Sequence, residues 1–350
     1  MISRWLWRAA WLFLPLAWAL HHFIHNDVLT FFAACASLIP FAKAMGDATE
    51  SLAERMGPAA GSLLNATFGN AAELILGIAA LRHGRVALVK GSITGSILGN
   101  LLLVAGASIV VGGSRFSRLR FNRLAASSSV STLFLAVVAM IVPTLLSTSV
   151  RNFNAALLSE EISVVLVIMY ALSLWFRLRT HREQMNGVAE ETRKPLLSQH
   201  PLWYELGRLA LAAAATVVAS ELLVSVLGGA LVSLRLPETF VGVIVVAIVG
   251  NAAEHSTALL FAHRGDMDVA LGISWESSKQ IALFVAPLLV FASLLFGTPM
   301  DLAFSRFEVM ALGLAVLALA LIAMDGETHW LEGAFLLAVY TVLGMGFYFL

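Results

Sequence analysis

A succession of apolar runs, each close to the length of a membrane-spanning helix, constrains this chain more than any other feature. Of its 350 residues 59% are hydrophobic and 13% are charged, and the mean hydropathy is +0.86. Soluble domains carry about a quarter charged residues. Runs of about 20 apolar residues, divided by polar and Gly/Pro breaks, predict an all-α polytopic membrane protein with about eleven transmembrane helices.

The breaks in hydropathy also predict where each helix lies. We place the helices near residues 7–24, 28–48, 59–81, 86–111, 122–147, 157–178, 206–234, 239–262, 269–296, 305–323 and 329–350. The predicted organisation is a first transmembrane helix in 1–27, a five-helix repeat in 28–178, a polar cytoplasmic linker in 179–205 and a second five-helix repeat in 206–350.

Charge placement predicts orientation and excludes some partners. With a cytoplasmic N-terminus, fifteen Lys and Arg fall in inside segments and six fall outside, which is the asymmetry of the positive-inside rule. The formal net charge of +0 gives no reason to expect a nucleic-acid partner. We find no nucleotide-binding loop, and the lone Cys35 cannot form an internal disulfide.

Two copies of one pentapeptide organise the chain. Gly-Asn-Ala-Ala-Glu occurs at 69–73 and again at 250–254, a separation of 181 residues. An odd-numbered repeat inserts its two copies in opposite orientations, which predicts an inverted-topology transporter with a site near the membrane midplane at the repeat interface.

The repeated motif supplies oxygen ligands inside apolar sequence, where an acid is costly and usually functional. Hard divalent cations such as Ca²⁺ prefer carboxylate, amide and backbone carbonyl oxygens. The same carboxylates could hold protons, because burial and a nearby like charge favour the protonated acid. A pair of acids that exchanges protons for a divalent cation is the chemistry of an antiporter. The candidate residues are the two acids, Glu73 and Glu254, with Asn70, Asn251, Gly69 and Gly250.

The helix that follows each motif is the predicted second wall of the site. Ser96 and Asn100 lie on a polar stripe in the first half, and Ser277 and Gln280 lie on the equivalent helix of the second half. For Ser96 and Asn100 we favour a role in lining the site over back-bonding to their own helix.

Several other polar residues admit two interpretations. Glu276 and Lys279 are three apart on a helix and could neutralise each other, or could take part directly in ion or proton handling. His255 could relay protons or be a core histidine bonded to a neighbouring helix. Glu221, which the sequence predicts to be isolated and buried, could support the site or make a structural hydrogen bond.

At these motifs the sequence resembles the cation/proton exchanger family of the calcium:cation antiporter superfamily. The segments 64–74, 242–255 and 280–287, with Asp325-Gly326 and residues 330–333, resemble that family's signatures. The resemblance implies a Ca²⁺/H⁺ antiporter of one helix plus two inverted repeats of five. It places the essential acids on Glu73 and Glu254, and accessory polar positions on Asn70, Asn251, Ser96, Ser277 and Gln280.

One departure from the family pattern bears on ion selectivity. The family usually reads Gly-Ser-Ser-x-Gln where this chain has Glu276-Ser-Ser-Lys279-Gln280. A charged pair therefore stands where the family has a glycine and an uncharged residue.

The expected activity is export of Ca²⁺ from the cytosol in exchange for H⁺, in a bacterial inner membrane or, alternatively, a vacuolar membrane. Ca²⁺ and H⁺ are substrates, the lipid bilayer is the environment, and no cofactor, nucleotide or enzymatic activity is expected. The alternatives are a different divalent cation such as Mn²⁺, or Na⁺ as the driving ion. The sequence has no His-Glu-x-x-His or Gly-x-Ser-x-Gly motif, which argues against an intramembrane hydrolase. A passive channel is also a weaker interpretation, because the duplication fits alternating access better.

Overall fold

The computed structural model of the chain describes residues 10–56, 61, 64–65, 67–151, 153–181 and 201–350. The helices are α1 (Phe13–Ile24), α2 (Asp27–Met56), α3 (Ala71–Arg82), α4 (Val86–Gly113), α5 (Arg123–Ser149), α6 (Ala155–Thr180), α7 (Leu202–Leu234), α8 (Glu238–Gly250), α9 (Ala252–Arg264), α10 (Met267–Leu295), α11 (Arg306–Ile322) and α12 (Trp330–Tyr348). Two short strands, β1 (Leu119–Arg120) and β2 (Glu327–Thr328), pair antiparallel. The predicted all-α fold class is confirmed.

The predicted number of eleven membrane spans is not confirmed. Within the described residues, seven helices are long and apolar enough to cross a membrane, or eight if α8 and α9 together make one span. α1 is a shorter apolar helix. The described helices nevertheless lie at the predicted positions along the chain.

Helix ends follow from local capping chemistry. α11 begins in a capping box, in which the Ser305 hydroxyl accepts from the backbone N–H of Glu308 and the Glu308 carboxylate accepts from that of Ser305. The Asn122 side chain likewise caps α5, because its oxygen accepts a hydrogen bond from a backbone N–H in the first turn. α7 ends at Arg235, whose left-handed φ of 54° terminates the helix just before Pro237.

Several predicted helix boundaries differ from the structure, and three predicted segments lie partly outside the described residues. α2 continues to Met56 instead of ending near residue 48, because its last turns are rich in helix-forming residues and carry a Lys43–Asp47 ion pair of 3.1 Å. α7 begins at Leu202 rather than near 206. The residues of these three segments that lie outside the described ranges are 7–9 of the first predicted helix, 59–60, 62–63 and 66 of the third, and 182–200 of the predicted linker.

The chain divides into two compact units, and each draws on both halves of the sequence. The first unit comprises Met1–Ser92, Pro195–Ala253 and Tyr348–Leu350. Within it α2 packs along α7, with α3 against both. Small residues such as Ala48 and Ala212 let these helices approach closely around Met45 and Leu209.

The second unit comprises Ile93–Lys194 and Glu254–Phe347. Within it α5 packs on α11, and α6 packs on the second half of α10. The segment between α10 and α11 is fixed by side chains, since Leu302 N–H donates to Ser159 Oγ at 2.8 Å and Phe304 N–H donates to Thr144 Oγ1 at 3.0 Å. α10 is thereby held in place at the end far from its polar residues.

Candidate functional site

The backbone is interrupted at the asparagine of both pentapeptides. Asn70 has φ −103° and ψ 23°, Asn251 has φ −95° and ψ 6°, and a new helix begins at the next residue in each case. The predicted continuous helices over 59–81 and 239–262 are therefore wrong at these points. Both asparagines adopt the sparsely populated bridge conformation that is common at functional sites. A break inside an apolar segment is tolerated where the freed backbone groups line a cavity or a binding site.

The two acids occupy equivalent places after these breaks. Glu73 lies in the first turn of α3, and Glu254 lies in the first turn of α9. Asn70 and Asn251 are 0% and 1% exposed, so each motif is buried where it begins its helix. Because Asn70 and Asn251 stand at helix ends, they lie outside the regular helical turns that carry the acids. The duplication in sequence is therefore also a duplication of local geometry.

In the first unit, the acid of the first motif lies against the glycine of the second. A Cβ atom placed on Gly250 would lie 3.5 Å from Glu73 Oε1 and 3.9 Å from its Cγ and Cδ. Gly250 therefore leaves room for the Glu73 carboxylate beside the backbone that leads into Asn251. At the first motif, any side chain on Gly69 would collide with the carbonyl oxygen of Asn65.

A glycine crossing fixes the helix that carries the second motif. A Cβ on Gly91 of α4 would lie 2.9 Å from the Thr239 carbonyl oxygen, and one on Gly242 of α8 would lie 2.8 Å from the Leu88 carbonyl oxygen. The backbones of α4 and α8 thus touch, which only glycine at both positions permits. This contact sets the position of α8 eight residues before its end at Gly250.

In the second unit, Glu254 lies at the end of a short row of polar side chains that contact one another. Asn100 Nδ2 donates to Ser277 Oγ at 2.9 Å, and the Ser277 hydroxyl lies beside the Glu254 carboxylate. These side-chain contacts join α4, α10 and α9. Ser96, which is 3% exposed, lies one helical turn before Asn100 on α4. Asn100 thus contacts Ser277.

Within this row of polar side chains, two buried oxygens have no donor among the residues that the structure describes. They are Glu254 Oε2 and Asn100 Oδ1. A buried acceptor without a donor is costly, and either a proton or a cation would satisfy it. His255 Nε2 is likewise buried without a partner in the described ranges. These atoms have the chemistry expected of a site that takes up protons or a hard cation.

Wide π-helical turns occur at the polar residues of both second-wall helices. They cover Gly99–Val104 in α4 and Ile281–Val285 in α10, which are equivalent under the 181-residue offset. A third lies at Val241–Val246 in α8. Such turns occur preferentially at functional sites. Sequence reasoning missed them, and only the internal duplication could have indicated that the two positions behave alike.

Tyr170 of α6 is a neighbour of Gln280 that sequence reasoning also missed. Its hydroxyl lies beside the Gln280 side chain, its ring packs on Phe284 with centroids 5.4 Å apart, and the residue is 3% exposed. A lone tyrosine within an apolar helix was the available signal, because a buried phenol usually serves a polar neighbour.

Glu276 lies in a three-member charge cluster. Glu276 Oε2 is 2.7 Å from Lys279 Nζ and 3.1 Å from Arg177 Nη1. The contact between Glu276 and Lys279 was one of the two interpretations of the sequence, whereas the contribution of Arg177 was not foreseen. Glu276 and Arg177 are 99 residues apart in sequence, so no local pattern connects them.

Glu221 does not fit its predicted description. Its side chain is 32% exposed and forms an ion pair of 2.8 Å with Arg82, with His83 Nε2 at 3.8 Å. The interpretation of Glu221 as an isolated, buried acid is therefore wrong. The apolar sequence around it hid a partner on α3, which packs against α7.

Comparisons with known proteins agree with this architecture. The sodium/calcium exchanger protein family matches residues 26–179 and 204–349. A Ca(2+)/H(+) antiporter of Aphanothece halophytica is 42% identical over 354 residues, covering 97% of this chain and 95% of that protein. The Ca(2+)/H(+) antiporter ChaA of Bacillus subtilis is 42% identical over 330 residues, covering 93% of each.

Solved structures give the same result. Native YfkE superimposes with a TM-score of 0.83 at 38% identity, covering 96% of this chain and 97% of that one. The H+/Ca2+ exchanger CAX shares the fold, with a TM-score of 0.76 at 14% identity over 99% of this chain and 92% of that one. The chain therefore belongs to the sodium/calcium exchanger protein family.

Proposed function

We propose that the protein is a secondary antiporter that exports Ca²⁺ from the cytosol in exchange for H⁺. The observation that carries this proposal is the repeated break: an acid in the first turn after a non-helical, buried asparagine, once in each half of the chain. Relatives with 42% identity over nearly the whole chain are named Ca(2+)/H(+) antiporters, which supports the choice of ions.

The exchange follows from charge balance at the two acids. When Glu73 and Glu254 are both ionised they carry two negative charges, which one Ca²⁺ neutralises. When Ca²⁺ leaves, each carboxylate takes one proton, so the site together with its bound ions is neutral in both loaded states. A site that moves through the membrane only when neutral couples the two ions, because an uncompensated buried charge is costly.

The surrounding oxygens complete the ligand set for the cation. Ca²⁺ takes about six to eight oxygens, and two carboxylates cannot supply them alone. The amide oxygens of Asn70, Asn251 and Asn100 and the backbone carbonyls released at the breaks are of the required kind. Ser96, Ser277 and Gln280 line the second wall, and Gly69 and Gly250 leave the space. These residues act on the ion directly, and no cofactor is required.

The inverted repeats 28–178 and 206–350 provide alternating access from the two faces of the membrane. The protein lies in a bacterial inner membrane with its N-terminus in the cytoplasm. The positive-inside asymmetry supports this orientation, and the bacterial relatives support this membrane.

The test is uptake of ⁴⁵Ca²⁺ into everted membrane vesicles with an imposed pH gradient, acid inside. Wild type accumulates Ca²⁺, and collapse of the gradient with a protonophore abolishes accumulation. Glu73→Gln and Glu254→Gln each abolish it, whereas Glu327→Gln, at a half-exposed acid beside β1, retains it. Uptake that persists in either of the first two variants contradicts the proposed site.

Competition identifies the cargo and the driving ion. Excess unlabelled Ca²⁺ is expected to suppress uptake more strongly than Mn²⁺ at the same concentration. A Na⁺ gradient without a pH gradient is expected to drive none. Preferential suppression by Mn²⁺, or uptake driven by Na⁺, would replace the proposed ions with those alternatives.

A further inference from the structure

Three charged side chains of the second unit, Arg177, Glu276 and Lys279, form a cluster whose members are progressively more buried. The exposed fraction falls from 44% at Arg177 to 20% at Glu276 and 8% at Lys279. The single Glu276 carboxylate oxygen Oε2 contacts both cations, at 3.1 and 2.7 Å. One carboxylate thus faces two positive charges, and the cluster carries a formal charge of +1.

This cluster lies beside the row of polar side chains that ends at Glu254. Glu276 precedes Ser277, and Lys279 precedes Gln280, on the same helix α10. Adjacent Cα atoms are about 3.8 Å apart, so both charges lie within about 10 Å of the backbone that carries Ser277 and Gln280. Ser277 in turn lies beside the Glu254 carboxylate.

Charges at this range act on a divalent ion. At an effective dielectric constant of about 50, between those of bulk water and a protein surface, one unit charge about 10 Å from a divalent cation changes its binding constant on the order of tenfold. Lys279 is shielded from water, so salt screens its effect less than it would at the surface. Glu276 opposes that effect, and Arg177 holds Glu276 in place from α6.

We propose that the Arg177–Glu276–Lys279 cluster sets the apparent affinity for the transported divalent cation through its net positive charge. This inference rests on the proposed function of the same site. Lys279 weakens cation binding at Glu254, and Glu276 limits that weakening. The cluster therefore favours release of the cation over tight retention.

The test is a charge series measured as initial rates of ⁴⁵Ca²⁺ uptake against Ca²⁺ concentration, at fixed pH gradient and ionic strength. Lys279→Gln lowers the cluster charge to zero, and KM for Ca²⁺ is expected to fall about tenfold. Glu276→Gln raises the charge to +2, and KM is expected to rise by a similar factor. The double variant returns the charge to +1, and its KM is expected to lie near that of wild type.

The controls separate charge from structure. Arg306→Gln removes an exposed positive charge from the same unit and is expected to leave KM unchanged. Lys279→Gln keeps Glu276 paired with Arg177, so it decides the question even if Glu276→Gln fails to accumulate in the membrane. A merely structural cluster would lower the maximal rate in both single variants without shifting KM in opposite directions.

The outcomes are distinguishable. If Lys279→Gln leaves KM unchanged or raises it while wild type transports Ca²⁺, the inference is wrong and the proposed function stands. If wild-type vesicles show no uptake driven by a pH gradient, the proposed function fails, and this inference fails with it.

Discussion

The carboxylate of Glu73 lies against Gly250, so that the acid of one pentapeptide uses the space left by the glycine of the other. A Cβ on Gly250 would stand 3.5 Å from Glu73 Oε1, which is an ordinary van der Waals distance. The two motifs are therefore related by contact as well as by sequence. The contact predicts that Ca²⁺ uptake depends on the size of the side chain at position 250.

Gly250→Ala is expected to retain Ca²⁺ uptake, because a methyl group fits at this distance. Gly250→Leu is expected to displace the Glu73 carboxylate and to reduce uptake about a hundredfold, the cost typical of a misplaced reacting group. Uptake by vesicles with equal amounts of each variant is the measurement. Equal activity of the two variants would show that the space beside Glu73 is not required.

The crossing of α4 and α8 predicts a loss of stability. Gly91→Ala forces a methyl group to within 2.9 Å of the Thr239 carbonyl oxygen, and overpacking of this kind costs about 1–3 kcal/mol. Gly272→Ala is the matched control, since a Cβ there meets nothing within 4 Å. Thermal unfolding in detergent should give a lower Tm for Gly91→Ala and an unchanged or higher Tm for Gly272→Ala. The reverse order would contradict the observed crossing.

The hydrogen bond from Asn100 to Ser277 predicts coupling between these two residues. Side chains in contact show interaction energies of about 0.5–3 kcal/mol in double-mutant cycles. Asn100→Ala and Ser277→Ala, alone and together, should therefore have non-additive effects on kcat/KM for Ca²⁺. Asn100→Ala combined with Ser293→Ala, at a serine of α10 whose hydroxyl bonds to the backbone of Val290 and Met300, should be additive. Additivity in both cycles would mean that the Asn100–Ser277 contact does not contribute to transport.

Tyr170 is predicted to position Gln280. Tyr170→Phe removes the hydroxyl and keeps the ring contact with Phe284, so KM for Ca²⁺ should rise about two- to tenfold, the value of one modest polar contact, with little change in the maximal rate. Tyr340→Phe removes another partly buried phenol of the same unit, which lies on α12. It should leave KM unchanged. Equal shifts in both variants would indicate a general effect on packing instead.

The positions of the helices were predictable because a membrane leaves an apolar run of this length no other stable conformation. The candidate acids were predictable because the motif is repeated. The breaks at Asn70 and Asn251 were not, since a single Gly-Asn step inside an apolar run is compatible with a continuous helix. Nor was the pairing of Glu276 with Arg177, because two segments far apart in sequence meet only in the folded unit.

The interruptions at Asn70 and Asn251 also determine how readily the adjoining segments can tilt. Bending an intact membrane helix requires main-chain hydrogen bonds to be broken where no water can replace them. At these two asparagines the backbone already departs from helical φ and ψ, and the segments on either side of Asn251 meet at 61°. A further change of direction at either point would therefore leave the regular turns of both flanking helices intact.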